Sequence, residues 1–249
     1  MNIPLRLAGT LLICFLAGSA SAIEDFTAEY TIYKGVVKMG SLTRSLSLSK
    51  ANDYVYDSRM STSGIASLFA RRSVHETSSG RFNGDRFVPH SYAYDKNNGE
   101  KKFQLRFDYD NNQVARADSE GKWQTQMPEI VFDKLVYQLQ FMIDLARPQP
   151  PNPLHYEIAD KNRLKHYQVD VLPPEVVQTP YGEFEAVRLE RVKSGSKKRT
   201  TVWCAERLGW LPVKVEYRDK KGGIVNAVLK NVDGIALKPS MQQTSESIH

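Results

Sequence analysis

The side chains best suited to chemistry in this sequence are His75, His90, His155, His166 and His249, the aspartates Asp108 and Asp110, and Cys204. Histidines signal a metal site when two stand at short helical or strand spacing with further ligands nearby. These five lie far apart in the chain, so no metal site is legible. Nucleophilic catalysis would need an activated serine or cysteine, and there is no Gly-x-Ser-x-Gly elbow; the phosphate-cradling glycine loop and the dinucleotide fingerprint are missing too. Asp108 and Asp110 are two apart, which places both on one face of a strand, but they adjoin the turn-forming Asp110-Asn111-Asn112 and are expected to be solvated. The residues predict a protein that is not an enzyme and has no catalytic, cofactor or metal site. A hydrolase of envelope polymers, assembled from residues distant in sequence, stays open as an alternative.

Export is the clearest expectation. Arg6 supplies a positive start, Leu7 to Ala17 an apolar stretch, and Ala20-Ser21-Ala22 a small-residue cleavage site, so residues 1–22 read as a signal peptide with cleavage after Ala22. The apolar stretch is too short for a membrane span, and no transmembrane segment is expected after cleavage. Ile13 before Cys14 does not suit a lipoprotein anchor. The predicted mature chain is soluble and periplasmic, with Cys204 as its single thiol, unable to form an intrachain disulfide and expected in the core. Loss of Arg6 from the 34 basic residues leaves 33 against 28 acidic ones. The basic pairs, such as Arg71-Arg72, Lys101-Lys102 and Lys220-Lys221, are scattered and read as solvated hairpin ends rather than a nucleic-acid site.

The elements that must position any site are strands. From Glu24 onward apolar and polar residues alternate with period two; in Lys101 to Tyr109, Phe103, Leu105, Phe107 and Tyr109 face one way and Gln104, Arg106 and Asp108 the other. Residues 64–70 carry Ile65, Leu68 and Phe69 at helical spacing and predict a short helix or packed loop. A wider apolar stripe through Val131, Leu135, Leu139, Met142 and Ile143, with Tyr137, Phe141 and Leu145 beside it, predicts one buried helix at about 130–146, with Gln138 and Gln140 on its exposed edge. Such a helix would extend about 24 Å. Prolines 148, 150, 151 and 153 end it. The expectation is mainly β: a single large antiparallel sheet curled into an open or incomplete barrel, with the helix against its concave face. One domain spans 23–239, followed by a disordered tail, 240–249.

Tyr30 to Gly40, Arg86-Phe87-Val88-Pro89, Phe107-Asp108-Tyr109, Asp133, Thr179-Pro180-Tyr181-Gly182-Glu183-Phe184, and Val202-Trp203 through Gly209-Trp210-Leu211-Pro212-Val213 occur in a familiar order. Together they resemble the exported bacterial family of domains of unknown function numbered 3108, over roughly Ala28 to Gly234. The resemblance implies a periplasmic setting and no chemistry. More loosely, the pattern is similar at fold level to the curled sheets of periplasmic lipoprotein carriers.

The function expected is therefore non-enzymatic: binding a lipid-like or other apolar small molecule inside the curled sheet, or supporting cell-envelope assembly with an envelope protein partner. Phe103, Leu105, Phe107, Tyr137 and Phe141 are the pocket candidates. The alternative is an interaction scaffold whose interior is filled, and an interior cavity of a few hundred Å³ would discriminate the two.

Overall fold

A computed structural model describes residues 23–63, 72–118, 121–192, 195 and 197–239. The leader with Ala20 and Ala22, the 64–70 segment and the 240–249 tail lie outside the described residues.

Among the described residues, two up-and-down meanders share one sheet of fifteen strands. The first comprises β1 (Phe26–Lys34), β2 (Val37–Leu48), β3 (Asp53–Thr62), β4 (Ser73–Phe82), β5 (Phe87–Lys96), β6 (Lys101–Asp108), β7 (Gln113–Asp118) and β8 (Gly121–Gln126). The second comprises β10 (Leu154–Asp160), β11 (Arg163–Thr179), β12 (Gly182–Val192), β13 (Arg199–Ala205), β14 (Leu211–Arg218) and β15 (Ile224–Asp233). β1 pairs with β15 and joins the meanders, leaving β8 and the two-residue β9 (Phe132–Asp133) as edges, so the sheet does not close into a barrel. Pairing is antiparallel throughout except where β9 runs parallel to β10.

The alternation in sequence becomes the two faces of this sheet. On β6, Phe103, Leu105 and Phe107 are buried and the intervening residues exposed. Tyr30, Tyr54, Tyr92, Phe87 and Leu189 join them in a single core that draws on both meanders. Curling requires close backbone approach at bulges. A Cβ on Gly80, where β4 shifts register against β5, would stand 2.0 Å from the Val88 carbonyl oxygen. A Cβ on Gly40 would stand 2.1 Å from that of Ser61. No side chain fits at either point, and both glycines relieve the bend. Pro173 and Pro174 fall in the register break of β11 against β12, where a missing N–H costs no ladder bond.

The buried helix exists but is shorter than its apolar stripe: α1 covers Tyr137–Leu145, about 14 Å rather than 24 Å. Upstream, Phe132 and Asp133 pair with Ile158 and Ala159 of β10. The Asp133 Oδ1 then accepts the N–H groups of Leu135 and Val136, both at 2.8 Å, and this turn stops the strand and starts the helix. Val131 and Leu135 stay fully buried without being helical. Gln140 corrects a second expectation, because it is buried rather than on an exposed edge. Its Oε1 accepts the Phe87 N–H at 3.1 Å and its Nε2 donates to the Asp85 carbonyl and the Asp144 carboxylate. An amide at this position pins the helix to β5 by satisfying groups the core would otherwise strand.

Candidate functional site

The interior that the sequence nominates as a pocket is packed. Phe103, Leu105, Phe107, Tyr137 and Phe141 are all buried, at most 8% exposed. Tyr137 and Phe141 meet edge to face at 5.2 Å, and both meet the ring of Tyr156. Phe103 stacks on Tyr94 at 5.1 Å. The helix pair and the β6 trio thus belong to one core but sit in separate aromatic clusters.

Between these clusters runs a polar seam that periodicity did not announce. The fully buried Asp133 accepts a hydrogen bond from the Ser78 hydroxyl at 2.5 Å, and Tyr54 shares a bond with the same hydroxyl at 3.0 Å. Burial pushes the Asp133 carboxyl up to about 6, against the pull of its three hydrogen bonds. Beside it, Glu76 accepts bonds from the Tyr92 hydroxyl and the Lys134 ammonium. Burial opposes the Lys134 charge, but Glu76 at 2.9 Å outweighs it and holds the ammonium above the ordinary lysine value. Tyr137 is raised to about 12 by burial, with Arg44 and Arg191 pulling the other way. Asp133, Ser78, Tyr54, Glu76, Tyr92 and Lys134 satisfy one another inside a low-dielectric core, whereas the buried Nε atoms of Arg44 and Arg191 beside Tyr137 have no hydrogen-bond partner.

The histidines also find partners that spacing hid. His155 Nδ1 lies 3.1 Å from His166 Nε2 across the β10–β11 hairpin, and His166 Nδ1 lies 2.7 Å from Glu157. His75 Nε2 sits 2.5 Å from Asp57, and Thr77 bonds the same carboxylate oxygen. Because Thr77 and Asp57 both address Nε2, the ring cannot relay a proton from one to the other. Among the described residues no group of three or more His, Cys, Asp or Glu could hold a metal ion. Asp108 is exposed, and its carboxylate caps the turn at Asn111, which holds it below the usual range. Cys204 is free and fully buried, and desolvation pushes its thiol far up.

Open space lies at the surface instead, in several clefts, one of them at an end of the sheet. A cleft of about 430 Å³ is bordered by Phe26 at the start of β1, by Met142, Ile143 and Ala146 at the C-terminal end of α1, by Leu208 and Trp210 between β13 and β14, and by Ile235 beyond β15. Its charged residues are Glu24, Glu206 and Lys238. Three local devices build it. Gly234, at φ +86°, lets β15 leave the sheet where any Cβ would meet the Asp25 carbonyl oxygen at 2.2 Å. The Arg207 Nε donates to the Lys238 carbonyl at 2.9 Å and the Lys238 N–H to the Arg207 carbonyl at 2.8 Å, fixing the departing chain as a wall. Gly209 and Trp210 follow one another in the left-handed region, at φ +61° and +67°. For a bulky residue that conformation is strained. In the sequence Trp210 stands out only as part of the Gly209-Trp210-Leu211-Pro212-Val213 motif, and residue type gives no sign of its left-handed backbone.

One family model, which describes a protein of unknown function (DUF3108), matches residues 29–230. The chain belongs to this family. The DUF3108 model thereby covers the whole sheet from within β1 to within β15, including Trp210. No curated protein matches the chain. Among solved structures, the chain is similar to a β-barrel-like protein of domain of unknown function DUF1849 from Brucella abortus, with TM-score 0.58 and 9% identity, covering 86% of this chain and 98% of that one. At such identity the likeness is one of fold. A proposed exported protein with YmcC-like fold from Bacteroides fragilis aligns at TM-score 0.38 and 9% identity, over 85% and 97% of the two chains. Among the described residues, no helix is long and apolar enough to cross a membrane.

Proposed function

We propose that this DUF3108 protein is exported to the periplasm and there acts without catalysis, holding one apolar, acyl-like ligand in the cleft between α1 and Trp210 during cell-envelope assembly. The observation that carries this reading is the cleft itself. Its volume of about 430 Å³ falls within the range of small-molecule sites, and it is walled by Phe26, Met142, Ile143, Leu208, Trp210 and Ile235. Glu24, Glu206 and Lys238 give a ligand a polar group to orient by. The leader read from residues 1–22 supports the compartment.

Purification of the native mature protein under non-denaturing conditions, organic extraction and mass spectrometry test the reading. A reproducible acyl-containing species should be recovered from the wild type and lost from Ala146→Trp, which fills the cleft. Recovery of nothing from either protein, or equal recovery from both, would sink it. A second reading, an interaction scaffold, draws on the packed condition of Phe103, Leu105, Phe107, Tyr137 and Phe141, and would be favoured by a ligand-free protein that co-purifies with an envelope protein.

A further inference from the structure

The antiparallel order of β12, β13, β14, β15, β1 and β2 sends three successive hairpins to the same end of the sheet, away from the apolar cleft. Cross-strand pairs fix the alignment: Arg191 opposes Thr200, Thr200 opposes Tyr217, Tyr217 opposes Val225, and Val225 opposes Lys34. The β1–β2 hairpin carries Lys34 and Lys38, the β12–β13 hairpin Lys197 and Arg199, and the β14–β15 hairpin Arg218, Lys220 and Lys221, all exposed. The acidic residues nearby are already engaged. Glu190 pairs with Arg199 and Glu216 with Arg218, so these pairs cancel and the excess positive charge rests on Lys34, Lys38, Lys197, Lys220 and Lys221, while Asp219 accepts the N–H groups of Lys221 and Gly223 at 2.7 and 2.9 Å. Apolar side chains stand among these cations: Val36 at the tip is 96% exposed and Val37 50%, with Tyr217 and Val225 exposed on the neighbouring strands.

We infer that this end docks on an anionic lipid surface, with Val36 and Val37 entering the headgroup region between the lysines of the three hairpins. Clustered cations alone would serve any polyanion. Two bare valines at the very tip add nothing to a soluble polymer, but they gain favourable burial when pressed into the polar–apolar boundary of a bilayer. Cations near an anionic membrane surface draw the protein there, and the tip then inserts. The inference is independent of the ligand reading, since the cleft lies at the opposite end and its residues are untouched by the variants below.

The test uses the mature full-length chain with vesicles of phosphatidylcholine alone or mixed with phosphatidylglycerol. Wild type should co-sediment with the anionic vesicles only, and release as salt rises. The pair Lys220→Glu and Lys221→Glu should weaken binding at least roughly tenfold, on a scale of about fivefold per cation. The pair Val36→Asp and Val37→Asp should weaken it comparably with an unchanged Tm, and Val36→Trp should show a blue-shifted emission on anionic vesicles alone. Failure of wild type to bind anionic vesicles, or binding indifferent to both pairs of substitutions, overturns the inference. So does retention of full affinity for soluble polyphosphate with no vesicle binding, which would identify a polymer site instead.

Discussion

The two ends of the same hairpin, β13–β14, have opposite characters. At the turn end, Leu208 and Trp210 border an apolar cleft against α1, and the backbone is strained to hold them there. At the open end, some seven residues away, Arg199 and Arg218 face each other across the strands and neighbour a cationic surface tipped by exposed valines. An up-and-down sheet makes this separation by its topology: turns of one parity gather at one end and those of the other parity at the opposite end. The apolar cleft with its left-handed Trp210 thus lies at one end, and charge with exposed apolar tips at the other. The packed middle keeps the ends apart.

The largest expected effect breaks that middle. Phe141→Ala should destabilise the protein by about 3–5 kcal/mol, because Phe141 is 2% exposed and its deletion leaves a cavity under the cleft. Urea unfolding measures it. A midpoint like that of wild type would show that the core does not hold the two ends together. Leu139→Ala, 1% exposed, should behave alike.

Next comes the buried carboxyl of the seam. Asp133 binds its proton more tightly folded, at about 6, than its ordinary value of 3.8. Its contribution to stability is therefore fully present below about pH 4 and lost as pH rises through 6. The difference is of order 3 kcal/mol for a shift of about two units. Asp133→Asn, which keeps the oxygen that caps Leu135 and Val136, should flatten the slope of unfolding free energy between pH 4 and 6. An unaltered slope would place the titration elsewhere.

Trp210→Gly sharpens the comparison at the cleft. Glycine adopts φ +67° freely, so relief of roughly 1–3 kcal/mol of backbone strain should offset much of the lost packing, leaving stability nearly level. Recovery of the extracted ligand should nonetheless fall. A variant that loses stability heavily and keeps its ligand would make Trp210 a packing residue alone. The smallest effect belongs to the cationic end: Val36→Asp should change stability by no more than about 0.5 kcal/mol, because nothing covers the side chain. A larger loss would reveal a contact that its exposure denies.

Much of the architecture was legible in the chain. Period-two alternation located β6 residue by residue, the apolar stripe located the helix, and Cys204 in a strand of alternating type correctly announced a buried thiol. The helix boundary was not legible, because Val131 and Leu135 are apolar for a reason other than helical periodicity: they line a turn held by Asp133. Gln140 looked solvent-facing by residue type, yet it is buried because Phe87, Asp85 and Asp144 satisfy its amide. The cleft eluded sequence reasoning because its walls come from residues 23–26, 142–146, 206–210 and 234–238, four segments with no common pattern. The cationic end hid in the same way, as lysine pairs that looked scattered.

By itself, then, the sequence determined which residues alternate and where chains must turn, since side-chain direction in a strand has a period of two and solvation acts on each face locally. It thereby determined a single large curled sheet with an inner helix. Tertiary structure alone decided that β1 would pair with β15 and that the cleft walls and the cationic hairpins would gather at opposite ends of the sheet. These are contacts between segments far apart in the chain. They follow from burying the aromatic faces of both meanders in one core, and no local pattern encodes which distant face each will meet.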